Sequence, residues 1–192
     1  MLSTFVPDRD EWRDALDQRW ATLLADCELT PLMLPNHPAA AAALLKAFSP
    51  LGAILTGGGD CRAISGRSDP RDETERVVLD WATCGNRPIL GVCRGMQVLL
   101  ADSGASLDVV NSHVGSRHRI RSLESARWVN SYHAYAARTA PAYQVMARSE
   151  DGIVEWIRRA APRQEGIMWH PEREAPAAQA DIEMIKALFF GH

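Results

Sequence analysis

The stretch Pro88-Ile-Leu-Gly-Val-Cys93-Arg-Gly-Met-Gln-Val-Leu-Leu100 decides how the rest of the chain is read. It opens on Ile89 to Val92, a short apolar run of the kind a buried parallel strand needs. It continues with Met96, Leu99 and Leu100, spaced to share one face of a helix. Between them lies Gly91-Val-Cys93-Arg-Gly95, a cysteine flanked by glycines at the turn from strand to helix. A nucleophile elbow has that form: a sharp, strained turn lifts out the reactive atom, and glycines on either side relieve crowding. A cysteine there stands near the positive end of a helix dipole, which favours thiolate over thiol. A buried structural cysteine is the alternative that this stretch alone leaves open.

On either side the pattern alternates. Trp12, Leu16, Trp20, Leu23, Leu24 and Cys27 predict a helix over about Asp8 to Cys27. Pro31 to Pro35 reads as extended, and Pro38 to Phe48 as an alanine-rich helix. Ala53-Ile-Leu-Thr56 reads as a buried strand halted by Gly57-Gly-Gly-Asp60, and a helix follows from about Arg71 to Cys84. Beyond Gly104 the segments shorten, with strands expected near Arg117–Leu123, Arg127–Ser131, Gln144–Arg148, Val154–Arg159 and Gly166–Trp169. Asp181 to Phe190 closes the chain as a helix. Strands alternating with helices predict one α/β domain, residues 1–192, with a central and mainly parallel sheet. Ligands of such sheets sit beyond the carboxyl ends of the strands, where both Thr56–Asp60 and Gly91–Cys93 would lie.

Composition narrows the function classes. The chain has 192 residues, 46% hydrophobic and 23% charged, which suits an ordinary globular core. A net charge of −3 without a long basic run gives no reason to expect nucleic acid or an anionic membrane as partner. No stretch approaches the roughly 20 apolar residues of a membrane span. Met1 to Asp10 lacks the basic-then-apolar pattern of a signal peptide. Four cysteines show neither CxxC pairs nor metal-ligand spacing, so a reduced, cytoplasmic chain is expected. His113 and His118 stand at no zinc-like spacing to a third ligand, and neither metal nor other cofactor is expected.

A cysteine nucleophile needs a base, and the base needs a group to orient it. Gly166-Ile-Met-Trp-His170-Pro-Glu172 supplies both: a histidine directly after a strand and a carboxylate two residues on, beyond a proline that fixes the turn. His170 could accept the thiol proton while Glu172 fixes its tautomer. A His-Pro-Glu turn that merely ends a strand has the same sequence.

Gly91-x-Cys93-x-Gly95-x-Gln97, the glycine-rich strand end upstream and Trp169-His170-Pro171-Glu172 downstream together resemble the class I glutamine amidotransferases. Val129-Asn-Ser-Tyr-His133 is similar to a segment of their γ-glutamyl hydrolase branch, the C26-type peptidases. The resemblance implies a flavodoxin-like three-layer fold and a Cys93–His170–Glu172 triad that forms a glutamyl thioester and releases glutamate. It also implies an oxyanion hole from the backbone N–H groups of Gly58 and Arg94, and substrate contacts from Gln97, Ser131 and His133. Relatives begin with a short apolar strand that Met1 to Val6 replaces poorly, so either the sheet has lost its first strand or the true start lies upstream of Met1.

Asn111-Ser-His113, His118-Arg-Ile120, Leu16 to Trp20 and Gly166 to Glu174 further resemble small hydrolases of bacterial surface-polysaccharide clusters. That implies a CDP-linked γ-glutamyl amide as substrate, with its pyrophosphate met by cations or donors among Arg19, Arg62, Arg94, Arg117, His118 and Arg119. Two other readings stay open. One is a glutaminase subunit that passes ammonia to a separate synthase; the other is a non-catalytic α/β binding module. A homodimer is compatible with each.

Overall fold

The computed structural model describes residues 2–123 and 125–191, with side chains from residue 6 onward. The chain opens on a hairpin, β1 (Leu2–Val6) antiparallel to β2 (Glu11–Ala15). Then come α1 (Arg19–Asp26), α2 (Pro38–Phe48) and β3 (Ala53–Leu55). A single turn, α3 (Arg62–Ser65), leads to α4 (Pro70–Cys84), β4 (Ile89–Val92) and α5 (Arg94–Asp102). The second half holds β5 (Asp108–Val109), β6 (Val114–Ser122), β7 (Ala126–Tyr132), β8 (Tyr135–Ala136), β9 (Gln144–Ser149), β10 (Val154–Arg159) and β11 (Gln164–Ile167). The last helix is α6 (Gln179–Phe190).

Local chemistry accounts for several boundaries. The Asp69 carboxylate accepts from the Asp72 N–H while the Asp72 carboxylate accepts from the Asp69 N–H. With Pro70 in the first turn, this capping box starts α4 where the sequence places it. Pro38 does the same for α2, whose first turn also donates the Ala40 N–H to His37 Nδ1. The helix expected from Asp8 begins only at Arg19 and spans 8 residues, less than half the expected length. Trp12 pairs across the hairpin with Phe5 and is 72% exposed, and only Trp20, Leu23, Leu24 and Cys27 turn inward from α1 and its end.

Seven strands form the main sheet in the order β3-β4-β11-β10-β9-β6-β7. β3, β4 and β11 run parallel; the four strands beyond them add antiparallel. The parallel part carries the crossover helices, as expected, and the antiparallel part is the strand-rich second half. Alternate residues of β4 feed two cores. Leu90 and Val92 face Trp20 and Leu23 of α1 and Ile185 and Leu188 of α6; Ile89 faces Leu45, Val78, Leu79 and Leu99 of the helices opposite. Helices therefore cover both faces, the three-layer α/β arrangement.

The N-terminal strand exists, but it pairs with β2 rather than with the sheet. Among the described residues nothing pairs with the outer edge of β3. That edge borders a cavity of about 190 Å³ lined by Trp20, Leu24, Leu34, Leu45, Ile54 and Phe189.

Candidate active site

β3, β4 and β11 end side by side, and their loops build one site. Cys93 follows β4 with φ 53° and ψ −105°, a strained conformation outside the usual regions for a side-chain-bearing residue. The elbow works because α5 lies directly on the strands. A Cβ at Gly91 would come within 2.6 Å of the Gly95 backbone, and one at Gly95 within 2.0 Å of the Leu55 carbonyl. The Cys93 N–H donates to the Ile167 carbonyl at 2.7 Å, which ties the turn to β11. Burial pushes the Cys93 thiol up to about 12, with the Arg94 N–H pulling the other way. The resting group is thus a thiol. The helix-terminus argument for a thiolate is outweighed by desolvation, since Cys93 is only 7% exposed.

His170 leaves the end of β11 and faces that cysteine. A Cβ on Gly57 would lie 2.5 Å from His170 Cε1, 3.4 Å from His170 Nε2 and 3.5 Å from Cys93 Cβ, so imidazole and elbow close around one glycine. The turn Pro171–Arg173 swings Glu172 back, and its Oε1 lies 2.7 Å from His170 Nδ1. His170 Nε2 is buried without a hydrogen-bond partner among the described residues. A histidine tethered at Nδ1 and open at Nε2 can exchange a proton with a neighbouring thiol.

Two groups absent from the sequence expectations hold this geometry. Asn130 on β7 grips the His170 backbone, accepting its N–H at 2.8 Å and donating to its carbonyl at 2.8 Å. Arg71 of α4 donates to the carbonyls of Thr56 (2.6 Å), Gly57 (3.2 Å) and Gly58 (2.6 Å). Because a trans peptide aims its N–H opposite its C=O, fixing the Gly57 carbonyl on Arg71 turns the Gly58 N–H away from that guanidinium. Glu75 joins Arg71 to Arg94, and Asp72 accepts a further bond from Arg94 at 2.8 Å. The Arg94 side chain is therefore sealed and paired, and only its backbone N–H is turned to the elbow. It does not serve as a surface cation for a pyrophosphate.

Strand parity divides the Val129–His133 segment. Asn130 holds His170, and the Tyr132 ring stands edge-on to the His170 ring at 5.5 Å. Ser131 and His133 point the other way: Ser131 Oγ donates to the His113 carbonyl at 2.5 Å, and His133 packs against His113 and Glu155. Both side chains are enclosed and taken up by these partners. His118 likewise joins that inner group, with Nε2 3.2 Å from Glu155 Oε1. Contrary to the expectation that His113 and His118 lack further partners, His133 and Glu155 complete a set of four. Burial opposes the charge on Glu155, yet the three imidazoles hold it below the usual carboxylate range. Gln97 sits one turn into α5, its N–H bonded to the Cys93 carbonyl and its Nε2 to the Tyr135 carbonyl at 2.7 Å.

At the rim, Arg19 pairs with Asp17 and interacts electrostatically with Glu172. Arg173 lies over the Tyr132 ring at 4.4 Å, and sequence reasoning passed over it. Arg117 is exposed and paired with Glu174; Arg62 and Arg119 are exposed.

A model of the family described as glutamine amidotransferase class-I matches residues 15–189. The chain belongs to that family. It is 29% identical over 124 residues to the γ-glutamyl-CDP-amidate hydrolase of Campylobacter jejuni subsp. jejuni, covering 63% of this chain and 62% of that one. It is 29% identical to the γ-glutamyl-γ-aminobutyrate hydrolase of Escherichia coli (strain K12), covering 55% and 54%. It is 28% identical to the carbamoyl phosphate synthase small chain of Oceanobacillus iheyensis, covering 77% of this chain but 39% of that one. The chain thus matches less than two thirds of the length of these relatives. Among solved structures, a Thermoplasma acidophilum protein provisionally named as a GMP synthase component superposes with a TM-score of 0.71 at 19% identity, over 90% of this chain and 85% of that one. No helix among the described residues is long and apolar enough to cross a membrane.

Proposed function

We propose that the chain, as one domain, hydrolyses a γ-glutamyl amide through Cys93, His170 and Glu172. The observation that carries this is the His170 imidazole, tethered by Glu172 at Nδ1 and open at Nε2 beside a cysteine in a strained turn. His170 Nε2 takes the thiol proton as Sγ bonds to the γ-carbonyl carbon. The oxyanion is held by the N–H groups of Gly58 and Arg94, each donor worth about 2.7–4 kcal/mol of barrier. His170 returns the proton to the departing nitrogen, the C–N bond breaks, and a glutamyl thioester remains. Water, deprotonated by His170, attacks that carbonyl; the C–S bond breaks, His170 passes the proton to the departing Sγ, and glutamate leaves with the thiol restored. By its place in the family motif, Gln97 is assigned to the glutamyl portion of the substrate.

The favoured substrate is γ-glutamyl-CDP-amidate, giving cytidine diphosphoramidate for decoration of a surface polysaccharide in the cytoplasm. Likeness to the Campylobacter hydrolase supports this, and Arg19 and Arg173 at the rim suit a pyrophosphate. The likeness to a carbamoyl phosphate synthase small chain favours a second reading, a glutaminase subunit feeding ammonia to a synthase. Glutamate release from glutamine, simple γ-glutamyl amides and the CDP-linked amide, measured side by side, separates them. A free hydrolase turns over alone, whereas a coupled subunit is nearly silent. Cys93→Ser and His170→Ala are each expected to abolish release with far-UV circular dichroism unchanged; turnover retained in both refutes the assignment. Glu172→Gln should lose less, because the imidazole keeps its place while losing its charge partner.

A further inference from the structure

Four side chains that this chemistry does not use meet behind the cleft. His113 precedes β6, His118 lies on it, His133 follows β7 and Glu155 stands on β10. One nitrogen or oxygen from each lies within 4.8 Å of all the others. Glu155 Oε1 is 3.2 Å from His118 Nε2, 3.4 Å from His133 Nε2 and 3.5 Å from His113 Nδ1. His113 Nδ1 is 3.2 Å from His133 Nε2. Close as they are, the contacts to Glu155 lack hydrogen-bond geometry. Both its oxygens, both nitrogens of His118 and Nδ1 of His133 are buried without hydrogen-bond partners among the described residues. The rings are inclined at 54°, 55° and 82° to one another rather than stacked, so their edges converge.

We infer that His113, His118, His133 and Glu155 form a binding site for one divalent transition metal, with Zn²⁺ the best fit. A tetrahedral ion with ligands at about 2.0–2.1 Å has ligand–ligand edges of about 3.3–3.4 Å. Four of the six edges, 3.2 to 3.5 Å, bracket that value, and the two from His118 to the other imidazoles lie within 4.8 Å. Three imidazoles and one carboxylate suit a cation of borderline softness. Asp151 Oδ2 lies 3.1 Å from His113 Nε2; by accepting that N–H it leaves the Nδ1 lone pair directed at the centre, as outer carboxylates do for ligating histidines. Without a cation, the enclosed Glu155 carboxylate has only the three imidazoles, at 3.2 to 3.5 Å and without hydrogen-bond geometry, to offset its burial. Four protein donors fill a four-coordinate shell, which makes the site structural. It would pin β6, the loop after β7 and β10 together. Two supports of the cleft hang from those elements: Tyr132, which adjoins His133 and flanks His170, and Met168, whose N–H donates to the Glu155 carbonyl at 3.0 Å.

The test uses tag-free full-length protein, analysed for metal by plasma mass spectrometry, then stripped with a chelator and titrated with Zn²⁺ and Co²⁺. One equivalent should bind, Co²⁺ should show the intense visible bands of tetrahedral coordination, and melting temperature should rise with metal. Glu155→Gln and His118→Ala should each weaken binding at least tenfold. Asp151→Asn, on a half-exposed side chain outside the ligand set, should weaken it roughly 10–100-fold with folding unaffected. Cys93→Ser should still bind one equivalent. Absence of stoichiometric binding by the stripped protein overturns the inference and leaves a proton-sharing cluster in its place. Binding unchanged in Glu155→Gln and His118→Ala, or lost in Cys93→Ser, overturns it equally, since the ion would then sit elsewhere.

Discussion

Adding one methyl group at Gly57 should silence the enzyme while barely loosening the fold. The new Cβ would stand 2.5 Å from His170 Cε1, whereas carbon atoms in contact rest at about 3.5–4.0 Å. Relief requires a shift of about 1 Å. The ring resists it: Nδ1 is 2.7 Å from Glu172, and Asn130 grips the His170 backbone at 2.8 Å on both sides. The glycine turn resists too, because Arg71 holds its carbonyls. Overpacking of this kind costs about 1–3 kcal/mol of stability. A displacement of about 1 Å between base and nucleophile costs about 100-fold in rate, equivalent to about 2.7 kcal/mol at the transition state. Gly104→Ala is the control. Its φ of 85° strains an alanine by about 1–2 kcal/mol, but no atom lies within 4 Å of the added carbon. Both variants should melt a few degrees lower, and only Gly57→Ala should lose glutamate release. Full activity in Gly57→Ala would falsify the placement of His170 against that glycine.

Three further outcomes follow from the same contacts. Arg94→Met leaves Glu75 and Asp72 short of a buried cation and should cost about 3–5 kcal/mol, seen as a drop of roughly 6–20 °C in melting temperature; a shift under about 2 °C contradicts the sealed pairing. Asn130→Ala strips both partners from the His170 backbone and should cost about 1–3 kcal/mol in urea unfolding while lowering kcat more than it changes KM; unaltered kcat argues against the clamp. With its thiol pushed up to about 12, Cys93 holds little thiolate at neutral pH. The thiolate is the reacting form and its share grows as pH rises towards that value, so alkylation at Cys93, followed by peptide mass spectrometry, should climb about tenfold per pH unit through pH 9. A plateau below about pH 8 would mean a preformed ion pair with His170.

Local sequence settled whatever depends on neighbours in the chain. Glycines around Cys93 and the apolar run before it specify strand, elbow and helix; Pro171 specifies the short turn that returns Glu172 to His170. Asp69-Pro70 and Pro38 mark helix starts to within a residue. Helical spacing misread residues 8–18, because Trp12 at a helix-like interval is also an acceptable strand residue, and pairing with β1 decides between the two. The Val129–His133 segment was recognised, but a strand's two faces look alike in sequence. Only the sheet shows that Asn130 and Tyr132 face His170 while Ser131 turns to the His113 carbonyl and His133 to Glu155.

What tertiary structure alone decided are the encounters between distant segments. Arg71 reaches back 15 residues to the Thr56 carbonyl, Asn130 reaches 40 residues to His170, and Glu155 gathers three histidines from on and beside two other strands. Each pairs charged or polar groups that no periodicity links. Burial makes them matter, because a desolvated carboxylate or backbone N–H must find its partner inside the protein. The reactive elbow was therefore legible one residue at a time, and the groups that hold it still were legible only once the sheet had closed around them.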